Sequence, residues 1–156
     1  MLDQIDKELI EYLQADGRQT TSDLAERVGM SVPAVAERIR KLQDHGVIVG
    51  FAAVLDPRKV GMDVGAFITV ISESSAHYQE VIERARAHPN VLRCMSVTGQ
   101  GSHLLEVRTE NTGTLEKLLG EIQAWPGVKR TQTSMILSQL KPRGSVPVSE
   151  AVIKQH

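Results

Sequence analysis

One cysteine, Cys94, stands in 156 residues. That excludes an intramolecular disulfide framework and any multi-cysteine metal site. Aromatic residues make up only 3% of the chain, too few for the stacking platforms that hold single-stranded nucleic acids. No apolar run approaches the roughly 18 residues of a membrane span, so no membrane partner is expected. The opening MLDQIDKELIEYL is amphipathic and acidic, unlike the basic, apolar start of a secretion signal. The expected location is cytoplasmic. A basic excess is missing too. Net charge is −1, and the first fifty residues hold six Lys/Arg against nine Asp/Glu. A single copy would therefore bind a polyanion weakly, whereas several copies presented together would recover affinity.

What is present, with 41% hydrophobic and 24% charged residues, is an ordinary globular composition. Its most informative stretch is residues 20–42, which reads as two short helices joined by a tight turn. Ala25 allows close helix approach, and Gly29 suits the left-handed geometry at a helix end. Ser31 can N-cap the second helix, and Pro33 is tolerated in its first turn. Leu24, Val28, Val35, Ile39 and Leu42 supply a buried seam. This is the pattern of a DNA-binding helix-turn-helix. On a helical wheel Val32, Val35, Ile39 and Leu42 cluster on one side, while Pro33, Ala36, Glu37, Arg40, Lys41 and Asp44 face away. The outward face carries small residues at its start, where base edges would lie, and cations further along, where phosphates would lie.

Around this pair, Leu2, Ile5, Leu9, Ile10 and Leu13 recur at helical spacing and predict a first helix ending at Asp16-Gly17. The third helix should stop at His45-Gly46. Val47 to Leu55 reads as a strand ended by Asp56-Pro57, giving a winged-helix-like unit over residues 1–60 with a strand linker. Residues 61–140 read as β-α-β-β-α-β, the ferredoxin-like order. The elements are a strand over 63–71, a helix over 76–87, a strand over 91–98 and a glycine-containing turn over 99–102. A strand over 103–109, a helix over 114–125 and a strand from 127 to about 140 follow. His88-Pro89-Asn90-Val91 and Trp125-Pro126-Gly127-Val128 echo one another, which predicts two pseudo-symmetric halves. Val64, Ala66, Ile68 and Val70 alternate with Phe67 and Ile71, so the first strand is apolar on both faces. Two helices cover only one face, and the other should meet a second subunit. Residues 141–156 read as a flexible tail, with Val146 and Val148 able to dock on a neighbour. The fold class is α+β.

With these residues in place, the chain resembles the Lrp/AsnC family of transcription regulators over residues 1–140. The resemblance rests on Leu2-Asp3-x-x-Asp6, Asp16-Gly17-Arg18, Leu24-Ala25-x-x-Val28-Gly29-Met30-Ser31 and Arg38-Ile39-x-x-Leu42-x-x-x-Gly46-Val47-Ile48. Val97-Thr98-Gly99 and Pro126-Gly127-Val128 extend it. It implies an N-terminal DNA-binding domain and a C-terminal domain that binds small effectors, often amino acids, at a dimer interface. Dimers that assemble into octamers or similar rings on double-stranded DNA are implied as well. No cofactor, no metal and no catalysis are expected. Carried over by position, residues 31–41 would form the recognition helix, with Ser31, Val32, Pro33 and Ala34 near bases. Arg18 and Thr20 or Thr21 would lie near phosphate, with Lys41 further along the helix. Arg38 and Arg40 would make the longest-range contacts. Glu37 would accept from a cytosine amino group or pair with Lys41.

The family's effector turn usually carries an aspartate three residues after a glycine; here the run is Gly99-Gln100-Gly101-Ser102. Serine can hydrogen-bond an α-amino group but brings no charge, and the difference corresponds to a factor of about ten or more in affinity. Thr98 to His103 would form the site, with Thr131, Thr133 and Ser134 contributed from a partner. His103 reads either as a titrating group beside the effector or as a satisfied interface residue, and Cys94 as core. Two other functions fit the same architecture. One is a siroheme-decarboxylase-like enzyme, for which His77, His88 and His103 form no recognisable cluster. The other is a DNA-architectural protein without an effector.

Overall fold

A computed structural model describes residues 2–140 and 144–153. It divides into two compact units, residues 1–53 with 141–156 and residues 54–140. The boundary thus precedes the expected residue 60, because residues 54–60 make their contacts within the second unit.

In the first unit α1 (Gln4–Ala15), α2 (Thr21–Val28) and α3 (Val32–Asp44) form as the apolar spacing requires. The starts of α1 and α2 are held by reciprocal capping boxes, Asp3 with Asp6 and Thr20 with Asp23. Each satisfies two backbone N–H groups that the helix itself leaves unpaired. α2 ends at Gly29 in the left-handed region, φ 66°. Ser31 occupies the N-cap position of α3, but its side chain makes no capping hydrogen bond. Leu9, Leu24, Ala25 and Val35 form the buried core, with Ile5, Tyr12, Leu13, Val28, Met30 and Ile39 packed around them. The Arg27 guanidinium lies 5.2 Å from the Tyr12 ring centroid.

Two expectations need correction here. No strand forms over Val47–Leu55; Val49 is 95% and Val54 91% exposed. Strand-forming side chains are present, but a ladder needs a neighbour, and no described residue pairs with this segment. The tail is the second case. Its residues 141–143 and 154–156 lie outside the described residues, and 144–153 run along α1 of the same chain. The Gln14 side chain donates to the Val146 carbonyl at 2.9 Å and accepts from its N–H at 2.7 Å. Lys7 pairs with Glu150, and Leu2 bridges Ile153 in parallel. Backbone groups make most of these contacts, so the lack of periodicity in the tail concealed them.

The second unit has the expected order: β1 (Val64–Ser72), α4 (Tyr78–Ala87), β2 (Val91–Ser96), β3 (His103–Thr109), α5 (Thr112–Gln123) and β4 (Val128–Ile136). The strands form an antiparallel sheet in the order β2-β3-β1-β4. α5 starts two residues early because Asn111 and Thr114 build a capping box. β4 stops at Ile136, opposite Gly65. Beyond that point only Val64 of β1 remains, and it pairs with Thr109 of β3 but not with β4; Leu137 and Leu140 are exposed. Ala66, Ile68 and Val70 of β1 and Leu105 and Val107 of β3 are buried against Val81, Ala85, Leu115, Leu118 and Ile122 of the helices. Burying each large aliphatic side chain contributes about 1.5–3 kcal/mol. The other face, opposite in register, carries Phe67, Thr69 and Ile71 beside Leu104, Glu106 and Arg108. It is therefore an apolar strip bordered by charges rather than a uniformly apolar surface. Cys94 is half-buried against the core, and burial pushes its thiol up from the ordinary value. That agrees with a packing role.

Candidate nucleic-acid interface and ligand cavity

α3 presents two different sets of charges. Arg38 faces α1, where its Nη1 donates to Asp3 Oδ2 at 2.7 Å and to Asp6 Oδ1 at 2.8 Å. The three side chains are only 16–28% exposed. Burial alone would raise the Asp3 carboxyl, but the Asp6 backbone N–H and the Arg38 guanidinium outweigh it and hold it below the ordinary value. Burial would lower Arg38, and the two carboxylates together raise it. Arg38 thus fastens α3 to the capping box of α1, which corrects its expected reach toward DNA.

The outward set is Glu37, Arg40, Lys41 and Asp44, all exposed. Arg40 donates through Nε and Nη2 to the two Glu37 oxygens at 3.0 and 2.7 Å, and through Nη1 to Asp44 at 2.8 Å. Lys41 Nζ lies 3.7 Å from Glu37. Ser31, Val32 and Pro33 are exposed at the start of the helix, and Ala34 is half-buried. Val32, expected among the apolar side, is 43% exposed because it precedes the first full turn. Thr20 is occupied by its capping box, Thr21 is half-buried and Arg18 is exposed.

In the second unit Thr98, Gly99, Gln100, Gly101 and Ser102 line a cavity of about 340 Å³. Ile71, Ser72, Tyr78, Ser96 and Val97 complete it. Gly99 has φ 106°, a conformation that favours glycine. A Cβ on Gly101 would overlap the Thr69 methyl and lie 2.9 Å from the Val70 carbonyl oxygen. The glycine therefore lets the turn lie against β1. That approach seats Ser102, whose N–H donates to the Val70 carbonyl at 2.9 Å. Its hydroxyl meets Ser72 Oγ at 2.8 Å and His103 Nδ1 at 2.9 Å. Among the described residues, no charged side chain lines the cavity.

Several expected effector residues lie elsewhere. His103 is fully buried on the helix-covered face, with Tyr78 packed edge-on at 4.9 Å. Burial depresses its pKa, so it is a neutral packed residue at pH 7 and does not line the cavity. Thr131 and Thr133 pair with Val70 and Ile68 on that same face, and Thr131 accepts from Gln123 at 3.0 Å. Ser134, opposite Phe67, is on the other face. This chain alone does not bring these three to the turn.

Both halves of the chain match known families. Residues 2–49 match the winged helix-turn-helix DNA-binding model, and residues 65–146 match the Lrp/AsnC ligand-binding domain. The chain belongs to the Lrp/AsnC family of transcriptional regulators. It is 33% identical to the transcriptional regulator FL11 of Pyrococcus horikoshii, over 94% of this chain and 97% of that one. It is 38% identical to the regulator LrpA of Mycobacterium tuberculosis, over 88% and 91%. Among solved structures, a feast or famine regulatory protein of M. tuberculosis complexed with L-methionine matches with a TM-score of 0.89. The identity is 35%, covering 95% of this chain and all of that one. A Neisseria meningitidis regulator complexed with L-Met also gives 0.89, at 29% identity over 97% and 100%.

This Lrp/AsnC protein is accordingly a DNA-binding transcriptional regulator, and its relatives are named as such. Sequence reasoning missed Ser72 and Tyr78. Ser72 ends a strand and carries no motif; its place at the turn follows from the pairing of β1 with β3. Tyr78 falls in a helical apolar stripe, which suggests core, although it is 37% exposed.

Proposed function

We propose that this Lrp/AsnC regulator binds double-stranded DNA through the outward face of α3 in an assembly of dimers, and that a small effector of the amino-acid class modulates it. The observation that carries the DNA contact is the exposed row from Ser31 to Lys41, with small residues first and Arg40 and Lys41 beyond. Such an order suits base edges followed by phosphates. Half-buried Phe67, Ile71, Met95 and Leu104 on the open sheet face support an interface with a second copy, and octamer-like assembly would multiply the weak single contact. Action on chromosomal DNA would place the protein in the cytoplasm.

The cavity at Thr98–Ser102 is the proposed effector site. Its backbone N–H groups and the Ser102 and Ser72 hydroxyls offer hydrogen bonds for a carboxylate and an amine. The methionine complexes of the M. tuberculosis and N. meningitidis relatives favour an amino acid. A partner strand could add Thr131, Thr133 or Ser134. The test is binding of the full chain to its own upstream DNA, with and without a panel of amino acids. A retardation or anisotropy change caused by at least one amino acid is expected; binding indifferent to all of them would favour the effector-free architectural function.

A further inference from the structure

Arg40 is the outward-facing arginine of α3, and each of its three guanidinium nitrogens donates one hydrogen bond to a carboxylate. Nε and Nη2 fork onto Glu37, and Nη1 reaches Asp44. That fork is the geometry an arginine would use to read guanine O6 and N7 or to clasp a phosphate. Glu37 also draws in Lys41, so one carboxylate engages both cations of the face. With Asp44 included, the four side chains carry no net charge. A neutral face gains little from counterion release on arbitrary DNA.

We infer that Glu37 is a specificity-determining residue, which withholds Arg40 and Lys41 from DNA unless the groove offers it a donor of its own. On arbitrary sequence, freeing Arg40 would leave the Glu37 carboxylate facing phosphates unpaired. Where a cytosine or adenine amino group lies opposite, Glu37 accepts from it, and the arginine fork turns to a neighbouring guanine or phosphate. The arrangement exchanges affinity for discrimination, as interfaces do when a wrong partner leaves a charge unpaired. The inference rests on α3 being the DNA-binding surface.

The test uses the full-length chain, a duplex recovered by selection with it, and a shuffled duplex of equal composition. Glu37→Gln keeps the shape and removes the charge. Each further phosphate that a freed cation neutralises adds about 0.9 to the salt slope per protomer, which is about eightfold in affinity at ~0.1 M salt. Glu37→Gln should therefore tighten binding to the shuffled duplex by about that factor, steepen its salt slope and narrow the ratio between the two duplexes. Lys41→Ala serves as the control. If Lys41→Ala weakens binding and flattens the slope while Glu37→Gln leaves affinity, slope and ratio unchanged, the inference is overturned and the α3 surface stands. Equal weakening on both duplexes by Glu37→Gln overturns it too. If neither variant alters binding, the α3 surface itself is refuted, and the inference falls with it.

Discussion

Replacing Arg38 by alanine separates the structural arginine of α3 from the outward one. Its Nη1 serves two carboxylates at 2.7 and 2.8 Å. A fully buried charge-assisted hydrogen bond contributes about 1.5–3 kcal/mol, and exposed pairs contribute about 0–1. With side chains 16–28% exposed, about 1 kcal/mol each is reasonable, or about 2 kcal/mol for both. Removing Arg38 also leaves two like charges side by side at the start of α1. In hydrogen–deuterium exchange, amides of α1 and α3 that open with their unit should then exchange about 25-fold faster. Amides of the sheet should keep their rates. Arg38→Lys should recover part of the protection, because a single nitrogen makes both bonds. Arg40→Ala should leave protection near that of the unchanged chain and weaken DNA binding. The reasoning is refuted if Arg38→Ala exchanges like the unchanged chain yet flattens the salt dependence of DNA binding.

Four further outcomes follow from the second unit and the capping boxes. Ser102→Asp restores a charge at the effector turn and should tighten binding of the responding amino acid about tenfold or more, read by calorimetry; weaker binding would count against an amine beside Ser102. Gly101→Ala should displace the turn from β1 and blunt the effector response at a cost of about 1–3 kcal/mol to the second unit, while basal DNA binding persists. His103 has a depressed pKa when folded, so the unfolded chain takes up its proton first as pH falls. Stability from His103 should be complete above about pH 6.5 and decline below it, in urea titrations across pH 5–8, and His103→Asn should flatten that decline. Asp3 behaves likewise at lower pH. Its contribution is complete above its ordinary value near 3.8 and lost as pH falls toward the depressed folded one.

Much of the second unit was legible because side-chain period and chain breakers agree. The Leu115, Leu118 and Ile122 stripe, the prolines at 89 and 126 and the β1 alternation each mark one element. Val47–Leu55 was misread for the opposite reason. Its side chains favour a strand, but a strand is made by its neighbour. Arg38 is more instructive. Three residues from Val35, it lies roughly 60° from that core residue on the wheel, so its inward direction was already in the spacing. Its charge suggested DNA, and the partners that turn it inward, Asp3 and Asp6, are over thirty residues away in sequence. The cavity was half legible. The glycine turn is local, whereas Ser72 and Tyr78 reach it through strand register and the start of a helix.

The most direct test of the account is the salt dependence of binding to a duplex recovered by selection, by the full-length chain and its Arg40→Ala, Lys41→Ala double variant. Removing two phosphate-directed cations should flatten the slope of log K against log salt by about 1.8 per engaged protomer, with the circular dichroism spectrum unchanged. An unchanged slope and affinity in the folded double variant would contradict the assignment of α3 as the DNA-binding face.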